Sequence, residues 1–206
     1  MGFEIEYRPV GIVFHKHRNK TGTFFMRRFQ YGTSEPFLQK KHPDRLKKMF
    51  YLPMTILLWH IVFVSIFTGH YYLLGMCGFI LLADTHKKWM RVKKKDLPVK
   101  YGQILSAVFR GYFVSLYYWC AFFSRYYLFI AFLLVPAFPT VSLILFINHF
   151  IISICEFLLK KPSMNIAGFI YFFTIDQLAY QLGVWVGCFK YLSFNPVNPE
   201  ISRWKS

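Results

Sequence analysis

Charged residues, and acidic residues above all, are scarce in this chain of 206 residues. Only 17% of the residues are charged and 55% are hydrophobic, whereas soluble domains carry about a quarter charged residues. The deficit is concentrated between residues 49 and 189, in several apolar stretches that match or approach the length needed to cross about 30 Å of hydrocarbon. A water-soluble fold of this size could not bury so much apolar surface. The composition therefore predicts a mainly α, polytopic helical membrane protein.

Motifs that carry chemistry are also lacking. The nine acidic residues include no D-x-D pair and no two carboxylates at a plausible acid–base spacing, and the chain has neither G-x-S-x-G nor a P-loop. Its four cysteines lie in apolar stretches without C-x-x-C spacing, which indicates neither a zinc site nor a disulfide framework. We therefore expect no catalytic residues and no cofactor in this chain.

Basic residues, by contrast, are abundant and clustered. The chain has 25 Lys and Arg residues and a formal net charge of +16, concentrated in residues 8–48 and 87–95. These clusters flank apolar stretches, and basic loops stay on the cytoplasmic side during membrane insertion. The pattern predicts an integral protein of the cell membrane with a cytoplasmic N-terminus, membrane lipid as a partner and no nucleic acid. The polar N-terminus lacks an apolar core, so no signal peptide is expected.

The N-terminal region divides into two predicted elements. Residues 1–17 alternate in polarity as two short strands would, and two strands are too few for a stable domain, so this β-hairpin is interpreted as the edge of something larger. Residues 22–31 have the pattern of a basic, aromatic amphipathic helix that ends at Gly32 and lies at the membrane surface. We divide the chain accordingly into residues 1–48 and a transmembrane helical domain of residues 49–206.

Two apolar stretches follow this region as a predicted hairpin. The first runs from about Met49 to Thr68, the second from His70 to Ala83, and Gly69 is the expected turn. Both flanks of the pair are strongly basic and the turn carries no Lys or Arg, so both ends are predicted to lie in the cytoplasm.

The rest of the apolar region allows more than one interpretation. Residues 101–124 have helical spacing but are bracketed by Arg110 and Arg125, and an arginine at the bilayer centre costs roughly 2.5–3.5 kcal/mol. We favour a helix in the interface, with a membrane span as the alternative. Residues 126–158 are apolar but interrupted by Pro136 and Pro139, so they form either one kinked helix or a tight pair. A last span is predicted from about Ile166 to Phe189.

One carboxylate and three histidines lie within these apolar stretches. Asp176 either contacts a polar substrate or partner helix, or is a neutral, hydrogen-bonded carboxyl that holds the bundle together. His60, His70 and His149 are isolated, and we interpret them as packing or interface histidines rather than ligands.

The N-terminal segment resembles a known family. The stretch Phe25-Met26-Arg27-Arg28-Phe29-Gln30-Tyr31-Gly32 looks like the Q-x-x-R-W motif of family 2 glycosyltransferases, with Phe in place of the Gln and of the Trp. In that family the motif sits on an interfacial helix before the transmembrane part and helps to hold the nucleotide diphosphate and the acceptor end. The strands of residues 1–17 resemble the segment after the family's catalytic E-D element, which implies a fragment of a GT-A edge.

A more specific resemblance extends along the chain in the right order. Residues 28–34, 41–43 and 176–187 are similar to the mycofactocin-type glycosyltransferases, and the similarity covers only the C-terminal part of that family.

The resemblance implies roles for Arg28, Phe29 and His15. Arg28 and Phe29 are expected to bind substrate, because a guanidinium fork suits a diphosphate and Phe29 beside it could line a lipid or sugar path. Asp176 is the third expected substrate-binding residue, because it is a carboxylate within an apolar helix. His15 corresponds to a metal ligand of some family members. The alternatives are that Arg28 meets only lipid headgroups and that His15 belongs to a solvated basic turn. A complete enzyme would use a divalent metal, Mg or Mn.

The sequence thus predicts the membrane and acceptor-side portion of a family 2 glycosyltransferase, which transfers a sugar from a nucleotide sugar. Such a portion lacks the donor-binding domain and is expected to be inactive alone, so a separate catalytic chain is the expected partner. The alternatives are a non-enzymatic membrane scaffold or anchoring subunit and, supported by Asp176 alone, a transporter.

Overall fold

The computed structural model describes residues 20–43, 48–51 and 53–203. The predicted hairpin of residues 1–17, with His15, lies outside the described residues. Within them the chain is mostly helical, as predicted, and its two short strands pair in parallel. In chain order the elements are α1 (Thr21–Lys41), β1 (Lys48–Tyr51), α2 (Pro53–Thr68), α3 (Leu73–Lys93), α4 (Tyr101–Leu134), α5 (Pro139–Lys160), α6 (Ile166–Tyr191) and β2 (Glu200–Arg203).

Helix α1 is longer than the predicted helix of residues 22–31. It continues through Gly32 and Pro36 as far as Lys41, so the expectation that Gly32 ends the helix was wrong. Gly32 is buried, and a Cβ atom there would lie 2.1 Å from the carbonyl oxygen of Tyr180 in α6. Gly32 therefore makes room for a neighbouring helix and does not end α1.

Helices α1 and α6 run parallel with their backbones in direct contact. A Cβ atom on Gly183 would lie 2.0 Å from the carbonyl oxygen of Phe29, and one on Gly187 would lie 2.6 Å from that of Thr33. Spacing of small residues four apart is what lets two helix backbones approach closely. At the far end of the contact, Lys40 Nζ donates to the carbonyl oxygen of Tyr191 at 3.0 Å, where a cation also complements the helix dipole.

The predicted hairpin forms, with different bounds. Lys48–Tyr51 is a strand paired with Glu200–Arg203, so the helix that was expected from Met49 begins at Pro53 instead. Helix α2 has 16 residues, or about 24 Å at 1.5 Å per residue, somewhat less than the hydrocarbon thickness. Gly69 is the turn, as predicted, with φ of +70°, and α3 continues past the expected end at Ala83 into the basic cluster.

Residues 101–158 form two helices that are separated at the predicted interruption by Pro136 and Pro139. Helix α4 is one continuous helix of 34 residues, about 51 Å long, so the expected helix end near residue 124 was wrong and residues 126–134 belong to α4. The break falls after Leu134, and α5 begins at Pro139, in the first turn, where proline's missing N–H costs no helical hydrogen bond.

Of the described helices, α4 and α5 are long and apolar enough to cross a membrane. Their lipid-compatible surface includes large exposed apolar side chains such as Leu133, and α2 and α3 expose Phe67 and Phe79 in the same way. Helix α6 forms over the predicted last span but is not one of these two candidates. Because α6 lies along α1, which carries five charged residues, the pair suits the membrane surface or the bundle interior better than a lipid-exposed span.

Two clusters of buried side chains hold the helices together. One joins α4 to α6 and the C-terminal segment through Phe122, Tyr126, Val184, Cys188 and Val197. The other joins α4 to α2 and α3 through Ile104, Val108 and Tyr112, and the Tyr112 hydroxyl donates to Asp84 at 2.8 Å. Helix α4 is therefore the element that contacts both halves of the bundle.

We expect Gly183→Ala to destabilise the protein by about 1–3 kcal/mol, the usual cost of overpacking, because its methyl group would collide with the α1 backbone. Gly78→Ala is the matched control, since nothing lies within 4 Å of a Cβ atom at that helical position. Thermal unfolding of both variants in detergent measures the difference. Equal melting temperatures would contradict the close contact.

Candidate functional site

A polar cleft of about 410 Å³ opens where α1, α4, α5 and α6 meet. Five charged side chains from these four helices line it: Arg28, Arg125, Glu156, Lys160 and Asp176. Aromatic and aliphatic residues of α5 and α6, among them Ile152, Phe169, Phe172 and Phe173, line the rest. The cleft thus combines a charged end, with three cations against two carboxylates, and an apolar wall.

Arg28 and Asp176, which the sequence singled out separately, form an ion pair across the cleft. Arg28 Nη2 donates to Asp176 Oδ2 at 2.9 Å, and Arg28 Nε contacts Asp176 Oδ1. The side chains are 26% and 22% exposed, so solvent screens the pair only in part. The carboxylate of Asp176 is therefore held by a cation of α1, a neighbouring helix.

Tyr180 connects this ion pair to a second arginine. The guanidinium carbon of Arg125 lies 4.1 Å from the centre of the Tyr180 ring, and that of Arg28 lies 5.4 Å from it, distances at which a cation is attracted to an aromatic ring. The Tyr180 hydroxyl donates to Glu35 Oε2 at 2.6 Å, and the Tyr126 hydroxyl donates to Glu35 Oε1 at 3.1 Å. Glu35 therefore ties α1 to both α4 and α6 beside the cleft.

A second ion pair closes the α5 side of the cleft. Lys160 Nζ lies 2.7 Å from Glu156 Oε2, four residues earlier on the same helix. Glu156 also accepts a hydrogen bond from the Tyr117 hydroxyl of α4. Each carboxylate of the cleft is therefore matched by a cation, and Arg125 adds a further positive charge.

The sequence interpretation missed Arg125 and Glu156 as members of this site. Arg125 was used only as a helix boundary, and Glu156 was passed over within an apolar run. The available signal was the presence of a charged residue inside an apolar helix, the same reasoning that drew attention to Asp176.

His149 is a satisfied packing histidine, as predicted. It is buried, with Nδ1 2.8 Å from Ser124 Oγ and Nε2 2.9 Å from Thr174 Oγ1. Since the Thr174 hydroxyl donates to the carbonyl oxygen of Ile170, Nε2–H is the donor to Thr174 and Ser124 donates to Nδ1. A neutral imidazole thereby joins α4, α5 and α6 behind the cleft.

The other two predicted site residues, Phe29 and His15, are not among the described residues that line the cleft. Phe29 lies on α1 where that helix meets Gly183, not among the residues that line the cleft, and its substrate role stays a prediction. His15 lies outside the described residues. Within the described ranges, no group of three or more His, Cys, Asp or Glu side chains could hold a metal ion.

Comparison with curated proteins gives similarity to one kind of enzyme, a glycosyltransferase. The chain is 21% identical over 207 aligned positions to the pre-mycofactocin glycosyltransferase of Mycobacterium tuberculosis, in both strain CDC 1551 / Oshkosh and strain ATCC 25618 / H37Rv. The alignment covers 97% of this chain but 43% of that protein, corresponding to its C-terminal part. The chain thus spans less than half the length of these relatives, and the resemblance read from the motifs is confirmed.

Two further comparisons give no match. No family model matches the chain, and no solved structure does.

We expect a double-mutant cycle of Arg28→Ala and Asp176→Ala to reveal a coupling on the order of 0.5–3 kcal/mol, because contacting residues of one network are not additive. Each single variant leaves a charged partner in a cleft where water screens it poorly. The measurement is the free energy of unfolding in detergent.

Arg27→Ala combined with Asp176→Ala is the matched control, because Arg27 is exposed and its Nε donates to Tyr31 instead. That pair is expected to be additive to within about 0.5 kcal/mol. Additive effects for Arg28 and Asp176 as well would show that the ion pair contributes nothing.

Proposed function

We propose that this chain forms the membrane and acceptor-side portion of a family 2 glycosyltransferase. The similarity to a glycosyltransferase along nearly the whole chain supports a glycosyltransferase-related role. The observation that carries the finer proposal is the cleft, in which the arginine of the Q-x-x-R-W-like segment, Arg28, faces the same space as Arg125 and Lys160.

The mixed charged and apolar lining of the cleft suits an amphiphilic phosphate ester. Arginine presents planar N–H groups that match phosphate oxygens, and the hydrogen bond to Asp176 uses one of the five guanidinium N–H donors of Arg28. The neighbouring wall of Phe169, Phe172 and Phe173 offers an apolar path for a lipid chain. An acceptor lipid or the diphosphate of a donor would bind with its charged part at the arginines.

Donor binding and metal chemistry belong, in this proposal, to a separate catalytic chain or domain. The present chain has no D-x-D pair, and its described residues hold no metal-binding cluster. A divalent metal, Mg or Mn, would assist departure of the nucleotide there, and His15 remains a proposed ligand to it. This portion alone is expected to be inactive.

A membrane scaffold or anchoring subunit is the second candidate function. It is favoured by the full engagement of Asp176 with Arg28, since that pair fastens α1 to α6 whether or not a ligand binds.

We further propose a polytopic arrangement with a cytoplasmic N-terminus. Helices α4 and α5 supply two spans, and the α2–α3 hairpin adds a shorter pair of apolar helices with basic residues at its ends. This arrangement keeps Lys94 in the cytoplasm and directs the turn at Gly69 away from it.

Cysteine labelling checks this topology in a background without the four native cysteines. With a membrane-impermeant maleimide, Tyr71→Cys is expected to react in intact cells and Lys94→Cys only after permeabilisation. Tyr71 is preferred to Gly69 because the positive φ of Gly69 makes any substitution there strained. Labelling of Lys94→Cys in intact cells would rule out the proposed orientation.

The activity test has two arms. The purified chain, given nucleotide sugars, Mg²⁺ or Mn²⁺ and membrane lipid extract, is expected to show no sugar transfer. Together with a chain encoded directly upstream that carries D-x-D and E-D elements, it is expected to be active. Reproducible metal-dependent transfer by this chain alone would overturn the proposed division of labour, and absence of such an upstream chain would favour the scaffold.

In the active pair, Arg28→Ala is expected to lower activity by about tenfold to a hundredfold, the scale of hydrogen bonds to a charged group at roughly 1.5–3 kcal/mol. Arg28→Lys is expected to lose much of it, because a point charge cannot replace the guanidinium fork. Arg27→Ala is the control and should have far less effect. Equal, mild losses at both positions would remove Arg28 from the binding site.

A further inference from the structure

A second concave surface lies between the end of α3 and the start of α4, and it shares no lining residue with the cleft. This α3–α4 groove has a volume of about 500 Å³, within the usual range for small-ligand sites. Its rim carries three cationic residues, Lys88, Arg91 and Lys95. None of them belongs to the proposed glycosyltransferase site.

The walls of the groove are apolar. Val92 of α3, Leu97 and Val99 of the connection, and Ile104 and Val108 of α4 supply most of the lining. Leu97 and Val99 are 52% and 38% exposed, so the groove is open to its surroundings. A free inorganic anion would gain nothing from such walls, whereas an acyl chain would.

The charge around the groove is strongly unbalanced. Residues 84–96 contain six Lys and Arg residues and two Asp residues. Lys88 is paired with one of these, Asp84, at 2.8 Å, while Lys95 is exposed at the end of the helix. Basic pockets beside membrane helices attract anionic phospholipid headgroups, with each basic residue contributing about 1 kcal/mol near the surface.

Aromatic residues next to the groove indicate its level relative to the membrane. Trp89 and Tyr101 stack edge to face at 5.7 Å, and Lys93 Nζ lies 5.2 Å from the Trp89 ring. Trp and Tyr are enriched at the level of the lipid headgroups. The cationic rim therefore lies beside residues typical of the interface, with the apolar wall leading away from it along α4.

We propose that the α3–α4 groove binds an anionic phospholipid, with the phosphate near Lys95 and an acyl chain against the exposed α4 wall at Ala107. The positively charged rim and the apolar wall together favour a lipid with an anionic headgroup over other ligands. The proposal requires membrane association but not sugar transfer, so it stands or fails independently of the proposed function.

The test uses the full chain in an uncharged detergent. Phosphatidylglycerol, phosphatidylcholine and inorganic phosphate are titrated separately, with thermal stability and native mass spectrometry of retained lipid as the two measurements. Phosphatidylglycerol is expected to bind at least about tenfold more tightly than phosphatidylcholine, and phosphate alone to give no shift in melting temperature.

Three variants locate the site. Lys95→Gln is expected to weaken phosphatidylglycerol binding roughly fivefold, the factor equivalent to about 1 kcal/mol per basic residue. Ala107→Trp, which fills the exposed α4 wall of the groove, should reduce retention of the lipid. Lys94→Gln is the matched control, because it removes the same charge one residue away but does not line the groove.

Three results would overturn the proposal. Equal affinity for the two lipids would show that the headgroup charge does not contribute to binding. Stabilisation by phosphate alone would indicate a simple anion site. Equal losses in Lys94→Gln and Lys95→Gln would indicate diffuse surface attraction instead of a site. Lys95→Gln decides the outcome even if Ala107→Trp fails to fold, since it alters only an exposed side chain.

Discussion

The backbone contact between α1 and α6 is the constraint on which the candidate site depends. Glycines on both helices let the two backbones meet, and this contact sets Arg28 opposite Asp176. Without it, Arg28 would have no contact with Asp176 on α6. The close approach also explains why a charged helix can lie on the bundle at all, since Glu35 and Arg28 find partners on α4 and α6.

An anionic ligand entering the cleft would have to compete with the carboxylates that already pair with its cations. Arg28 already holds Asp176, and Lys160 already holds Glu156. A phosphate placed there must either use the remaining guanidinium donors or displace a carboxylate, which would leave that carboxylate poorly solvated. Arg125 is likewise already engaged, since it lies over the Tyr180 ring, is hydrogen-bonded to that side chain and is attracted by Glu35.

The bundle has an uneven distribution of polarity that bears on how it meets a membrane. Helices α4 and α5 expose large apolar side chains, as a lipid environment allows, whereas charged residues of α1, α4, α5 and α6 gather at the cleft. Helix α4 is about 51 Å long, more than the hydrocarbon thickness, so part of it can pack on α1 and α6 outside the lipid core. The predicted boundary at residue 48 stays a prediction, and α1, which precedes it, packs against α6, which follows it.

The sequence by itself determined the helical class, the apolar bulk, the turn at Gly69 and the resemblance to a glycosyltransferase, because these follow from local composition, backbone preference and motif order. It also drew attention to Arg28 and Asp176, since an arginine in a motif and a carboxylate in an apolar helix are each unusual alone. Only the tertiary structure decided that the two form one ion pair, that Gly32 lies inside a helix, and that Arg125 and Glu156 join the site. Those outcomes depend on contacts between residues far apart in the chain, such as Gly32 with Tyr180, and no local pattern specifies which distant surface a glycine will meet.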